Sequence, residues 1–315
     1  MTTSVAEPVA QQAAPGEHKG FFARLWEKWP IKLAVIVVVV IWLIPTVGLL
    51  ISSFRTKDAV NTSGWWTVLT SPFDFGQWTF DNYDTVLSSE GFGNAFLNSL
   101  AVTIPATIIP ITIAAFAAYA FSWMEFKGRQ IMFVAVVGLL VVPLQMALIP
   151  LLRLYSSGAN IFGVTVFPDL DLNGTYMAVW LAHAGFGLPL AVYLLRNYIG
   201  SLPSSIIESA KLDGATHFEI FTRLIVPLSV PALASFAIFQ FLWVWNDYLV
   251  ALVFLGIDPS VRVLTVELAD LAGRGEGAFS LLPAAAFVTM ILPLVVFFSL
   301  QRYFVRGLTA GSVKG

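Results

Sequence analysis

The chain has 315 residues, of which 57% are hydrophobic and 11% charged, and its mean hydropathy is +0.80. A soluble domain carries about 25% charged residues, so a surface facing only water cannot be assembled from this composition, and lipid must act as solvent. The net charge of −2, from 17 basic and 19 acidic residues, excludes the basic excess of a nucleic-acid binder, and the absence of cysteine excludes disulfide scaffolds, thiolate metal sites and thiol nucleophiles.

Charge-free intervals locate the predicted elements. They run over residues 33–54, 91–124, 130–152, 172–195, 224–246 and 277–301, and each exceeds the roughly 20 apolar residues that one transmembrane helix needs. Backbone polar groups in hydrocarbon must be paired within the segment, and none of these runs shows the alternation of barrel strands. The expectation is an all-α polytopic membrane protein with six helices near 31–54, 97–122, 131–152, 175–196, 227–249 and 280–302, forming one transmembrane domain over 31–306. Residues 1–30 read as a polar tail; the first apolar run exceeds the 7–15-residue core of a cleaved signal and reads as a retained span.

With the N-terminus in the cytoplasm, the inner segments hold 12 Lys and Arg residues and the outer ones five, counted from the sequence. The positive-inside rule therefore predicts a multi-pass protein of the cell (inner, cytoplasmic) membrane with both termini cytoplasmic. The outer loop 55–95 carries Trp65, Trp66, Phe73, Phe75, Trp78, Phe80 and Tyr83. It is too apolar for a linker and is expected to pack on the membrane surface or on a neighbouring subunit. Pro105, Pro110, Pro143, Pro150, Pro189 and Pro293 fall within spans, where each frees a carbonyl and permits a kink.

The stretch 203–227 is the most informative. Ser205 and Glu208 have capping-box spacing, which predicts a helix from about Ile206. Asp213-Gly214 should end it, with Gly214 in the left-handed conformation. Thr216 and Glu219 form a second capping-box pattern, Glu219 and Arg223 stand at i,i+4, and Phe218, Phe221 and Ile225 share one helical face. The prediction is a stiff hairpin of two short helices over 203–226, on the cytoplasmic side.

This run resembles the E-A-A…D-G-A…F-x-x-I-x-L-P signature of membrane subunits of binding-protein-dependent ABC importers. Glu208, Ala210, Asp213, Gly214, Ala215, Phe221 and Pro227 match, whereas Ser209, Leu224 and Val226 depart mildly. The segment Pro143–Pro150 and the last residues, 307–315, are similar to the MalG-like, maltose-type group. The resemblance implies the type I permease fold of ABC importers and a non-catalytic subunit of a sugar importer, for an oligosaccharide or glycoside. The first hairpin helix would sit in a cleft of a cytoplasmic ABC ATPase dimer, with Glu208 making the charged contact and Ser209, Ala210, Asp213, Gly214, Ala215 and Phe221 around it. The tail residues Thr309, Ala310, Gly311 and Lys314 would reach the ATPase interface. A second, MalF-like permease and an extracellular solute-binding protein are the further partners, and the loop 256–280, through a flexible tip at 273–277, would enter the opened binding protein.

The chain contains no phosphate-binding loop and no Gly-Lys dipeptide, so ATP and Mg are expected on the partner ATPase and no cofactor on this chain. For a substrate pathway the candidates are Asn246, Asp247 and Tyr248, preceded by Trp243 and Trp245, since aromatic faces with amide and carboxylate groups suit sugar rings; an interfacial anchor is the competing reading. His183, inside the fourth span with no carboxylate foreseen beside it, reads as a helix–helix contact or a pathway residue. The alternative function is an ion-coupled secondary carrier working without an ATPase, which the scarcity of intramembrane charge disfavours.

Overall fold

The structure, a computed structural model, describes residues 29–309. Its first helix, α1 (Trp29–Ser53), is apolar around its circumference except for Lys32 and contains Pro45; of the described residues, 29–49 belong to one compact unit and 50–309 to a second. The second unit opens with short turns, among them α2 (Lys57–Thr62) and α3 (Asp81–Asp84), the latter running into a π turn at Thr85–Ser89. Then come α4 (Phe92–Trp123), α5 (Arg129–Gly138) and α6 (Leu144–Ser157). An antiparallel hairpin of β1 (Ala159–Ile161) and β2 (Val164–Phe167) follows. The chain continues as α7 (Tyr176–Gly200), α8 (Ser204–Leu212) and α9 (His217–Ile220). It ends with α10 (Val226–Leu228), α11 (Val230–Trp245), α12 (Leu249–Leu255), α13 (Leu264–Gly273) and α14 (Leu282–Thr309).

Four stretches are long and apolar enough to cross a membrane unbroken: α1, α4, α7 and Leu282–Gln301 of α14. Two bent pairs complete a count of six. The pair α5 and α6 turns through 104° and the pair His217–Leu228 and α11 through 72°. The third predicted span, 131–152, is therefore not one rod. Pro143 has no N–H to continue α5 and caps α6 in an extended conformation (ψ 128°). The fifth, predicted over 227–249, bends at Ser229, ends at Trp245 and resumes as α12. The second starts at Phe92 rather than 97, and the sixth runs over 282–309 rather than 280–302. The β-hairpin at 159–167 is a small addition to the all-α expectation.

The centre of the second unit is α4 against α7. Both present small side chains where they meet, Ala106, Ala114 and Ala118 on α4 and Ala178, Ala182 and Ala191 on α7, all buried, which lets the backbones approach closely as membrane helices do. Close approach puts side-chain donors within reach of carbonyls that proline leaves without a partner. Pro105 cannot donate to the Ala101 carbonyl, and Trp180 Nε1 on α7 does so at 3.0 Å. Pro110 cannot donate to Ala106, and Gln240 Nε2 on α11 does so at 3.2 Å. On α14, Pro293 leaves the Thr289 carbonyl to Trp245 Nε1 at 2.9 Å. An unpaired backbone group costs several kcal/mol in hydrocarbon, so these bonds set the helix register as well as satisfy it.

Gln240 is fully buried and also donates to the His183 carbonyl at 3.4 Å. Opposite it stands Gly187, where a Cβ would lie 2.6 Å from Gln240 Oε1. Gly187→Ala is expected to displace the amide and destabilise the bundle by about 1–3 kcal/mol, the usual cost of overpacking. Thermal unfolding of the detergent-solubilised protein checks this as a lowered Tm.

Candidate functional site

The hairpin at 203–226 is built from its ends. α8 begins at Ser204, with Pro203 as the N-cap and no side-chain capping bond. The Ser205–Glu208 capping box read from spacing does not form. Ser205 already lies inside the helix, because Pro203, with its fixed φ of −59°, starts the turn two residues earlier. Glu208 is consequently free of a local bond to the cap and exposed, as are Ser209, Lys211 and Asp213.

The other end of α8 follows the sequence. Gly214 has φ +82°, its N–H donates to the Lys211 carbonyl at 3.1 Å and the Ala215 N–H to Ala210 at 3.0 Å, the two bonds of a Schellman termination. Thr216 and Glu219 then form a complete capping box: the Glu219 N–H donates to Thr216 Oγ1 at 3.3 Å and the Thr216 N–H to Glu219 Oε2 at 3.0 Å. Arg223 sits 3.7 Å from Glu219 in the exposed i,i+4 pair. Beyond α9 the helix widens to a π turn at Phe221–Ile225. The extra residue resets the phase, so that Ile220, Phe221 and Ile225 are buried while Phe218, expected on the same face, is 66% exposed. Leu212 is 88% exposed. The hairpin thus exposes two apolar side chains as well as the Glu208 carboxylate.

The hairpin is also tied to α4. Phe221 stacks on Phe116 with centroids 4.4 Å apart, and the Tyr119 hydroxyl lies 2.9 Å from His217 Nδ1. Spacing offered no signal for this pairing, because 98 residues separate the partners.

The pathway candidates lie at the break between α11 and α12. Asn246 and Tyr248 are exposed. The Asp247 carboxylate accepts the Val250 and Ala251 N–H groups at 3.3 and 2.9 Å, and its carbonyl accepts the Thr265 hydroxyl at 2.6 Å. His183 is not without a carboxylate. Its Nε2 stands 3.5 Å from Asp247 Oδ2, since the unwound residues 246–248 fold the acid back toward α7. His183 is fully buried, with the Trp243 ring edge-on at 5.4 Å, so it faces the interior of this chain behind Asp247. Trp245, grouped with the pathway in the sequence reading, is 2% exposed and belongs to the core. Trp243 instead lines an apolar groove of about 400 Å³ with Tyr155, Phe186 and the residues around the break at 142–143.

At the same end, the loop 256–280 is more structured than its glycines suggest. α13 occupies 264–273, and a 3-10 turn spans Gly275–Ala278, the stretch expected to be a flexible tip. Arg274 anchors it, pairing with Glu90 and, at 2.8 Å, with Asp270. Arg262 pairs with Glu267 at 3.1 Å. The aromatic loop carries Trp66, Phe73, Phe75 and Phe80 exposed, with Phe73 at 81%. Thr309 ends α14; Ala310, Gly311 and Lys314 lie outside the described residues. Among the described residues no group of three or more His, Cys, Asp or Glu side chains is placed to hold a metal.

Unbroken and bent apolar helices, with a capped hairpin between two of them in sequence, are those of a multi-pass membrane protein. Residues 110–310 match the family described as the binding-protein-dependent transport system inner membrane component, and the chain belongs to that family. It is 56% identical to the osmoprotective compounds uptake permease protein GgtD of Synechocystis, over 92% of this chain and 94% of that one. It is 45% identical to the alpha-glucoside transport system permease protein AglG of Rhizobium meliloti, over 91% and 97% of the two chains. In fold it is similar to a chain of a bacterial ABC transporter that imports the acidic polysaccharide alginate, with a TM-score of 0.68 at 20% identity over 90% of this chain and 98% of that one.

Two measurements test this geometry. A left-handed φ costs a residue with a Cβ about 1–2 kcal/mol, so Gly214→Ala is expected to raise protease sensitivity of the hairpin, whereas Gly214→Asn, which tolerates this conformation, stays close to the parent. Arg274, as hydrogen-bond partner and then as charge, holds the Asp270 carboxyl below its ordinary range. A depressed acid stabilises the fold above its unfolded pKa, about 3.9, and ceases to as pH falls through the folded value. Proteolysis within 264–278 should therefore stay constant from pH 7 to about 5 and rise only below pH of about 4.

Proposed function

We propose that this chain is one of two permease subunits of an ATP-driven, binding-protein-dependent importer of α-glucosides or related small glycosides. The hairpin at 203–226 docks on a cytoplasmic ABC ATPase dimer. The observation that carries the coupling role is the exposed triad of Glu208, Leu212 and Phe218 on a hairpin closed by a Schellman turn and a capping box. A rigid projection that exposes apolar side chains together with the acids Glu208 and Asp213 suits a cleft in a partner, and the two helix ends at its turn are satisfied without that partner. The sugar class is supported by the relatives, one of which is named for alpha-glucosides at 45% identity.

In this reading Glu208 makes the charged contact, Ser209, Ala210, Asp213, Gly214 and Ala215 shape the docking surface, and Phe221 anchors it to α4. Both termini are cytoplasmic, and Thr309, Ala310, Gly311 and Lys314 add to the ATPase interface. ATP and Mg bind the ATPase. At the opposite end, the loop 256–280 meets the solute-binding protein. Asn246, Asp247 and Tyr248 line the pathway beside Trp243, with His183 supporting Asp247 from behind. A second, MalF-like permease closes the path, because six helices make only one wall of a disaccharide-sized channel.

Uptake of radiolabelled trehalose, sucrose and maltose by cells carrying the full transporter tests the sugar class. Accumulation of at least one, abolished with the chain deleted and restored by its expression, is the expected result. Accumulation of an oligopeptide but none of these sugars would sink it. Glu208→Ala is expected to lower that uptake at least tenfold and to reduce ATPase co-purification while the chain still reaches the membrane; unchanged uptake and co-purification would remove the coupling role.

A further inference from the structure

A hairpin that couples to an ATPase must pass its movement to the far end of the bundle; besides α7, the unbroken helix that leads into it, two routes leave its second helix. The first is the hairpin's own continuation. It passes the π turn at Phe221–Ile225, the three-residue α10, a 72° bend at Ser229 and α11, and then breaks again at 246–248. Ser229 is fully buried and its Oγ has no partner. A wide turn, a sharp bend and a break are three places where a push is absorbed rather than transmitted.

The second route is α4, which is unbroken over 32 residues, about 48 Å at 1.5 Å per residue. Its two internal prolines would soften it, but the carbonyls they free are taken by Trp180 and Gln240 from neighbouring helices. At one end the hairpin rests on it, through the Phe116–Phe221 stack and the Tyr119–His217 hydrogen bond. At the other end α4 holds the loop before α13 by its backbone. Asn98 Nδ2 donates to the Ser260 carbonyl at 3.1 Å and the Arg262 carbonyl at 3.0 Å, and Ser99 Oγ accepts the Leu264 N–H at 2.9 Å. Asn98 is itself oriented by the Tyr176 hydroxyl, which donates to Oδ1 at 2.8 Å. Polar side-chain bonds thus fasten both ends of one stiff helix, at the two places where the importer meets its soluble partners.

We propose that α4 is the transmission rod of this permease, with Tyr119 as its joint to the coupling hairpin and Asn98 as its joint to the loop 256–264. The proposal rests on the coupling role assigned to the hairpin above. Tyr119 and Asn98 are positioning residues: neither touches nucleotide or cargo, and each fixes where a moving segment is held.

The chain lacks cysteine, so within it only introduced cysteines take spin labels, and the partner subunits are used with their own cysteines replaced by serine. In the purified complex of the full chain with its ATPase and second permease, one label pair at Thr222→Cys and Lys127→Cys reports the hairpin. A second pair at Pro259→Cys and Val166→Cys reports the far loop. Distances are measured without nucleotide and with Mg·ATP plus vanadate. Both pairs should shift in the parent. Tyr119→Phe, which removes one hydroxyl and keeps the ring packing, should at least halve the shift of the far pair while the hairpin pair shifts as before and basal ATP hydrolysis stays within twofold. Asn98→Ala should do the same; if it fails to assemble, Tyr119→Phe alone decides. A full far-loop shift in Tyr119→Phe overturns the rod, as does a parent far loop that does not move while the hairpin does. A parent hairpin that does not move overturns the coupling role instead.

Discussion

In a membrane the backbone has no water to fall back on, and this protein places prolines in the middle of its spans. Each removes an N–H and orphans the carbonyl four residues earlier. At Ala101, Ala106 and Thr289 the orphan is taken by a side chain from another helix, namely Trp180, Gln240 and Trp245. The requirement for satisfied carbonyls thus becomes the bonding that aligns α4, α7, α11 and α14. It works only because small residues on α4 and α7 bring the backbones close enough for short reach.

That alignment separates the continuous helices from the bent ones. α4 and α7 are continuous and closely packed, whereas the third and fifth spans are bent by 104° and 72°. One break carries polar chemistry and another an apolar groove. Unwinding at 246–248 lets one carboxylate cap α12 and face His183 at 3.5 Å, and the break at 142–143 opens the groove that Trp243 lines. Non-helical backbone at membrane depth is tolerated only where protein or an aqueous cavity covers it, so such breaks belong on the inner side of a permease assembly. The hairpin has the opposite character: its turn is closed by its own caps, and Leu212 and Phe218 are exposed on it.

Much of this was legible in the linear chain, for reasons that are local. Charge-free intervals mark the spans because burying a charge in hydrocarbon is costly anywhere along a helix. The turn at Gly214 and the Thr216–Glu219 box depend on residues within three or four positions of one another, and both formed. The Ser205–Glu208 box has the same spacing and did not form, because Pro203 moved the helix start and left Ser205 inside the first turn. The face expected for Phe218 failed because a π turn is a response to packing against Phe116, which no helical period encodes.

The sequence by itself determined the solvent, the span count, the capped hairpin and, through its motif, the family, since each follows from composition or from neighbours on the chain. Only the tertiary structure decided which acid meets His183, which donors answer the prolines, that Trp245 is core while Trp243 lines a groove, and that Tyr119 and Asn98 fasten the two ends of α4. Those contacts join residues separated by 44 to 165 positions, and their partners are chosen by helix spacing and register. Neither is written in any local pattern, because both emerge only when small side chains allow the helices to close on one another.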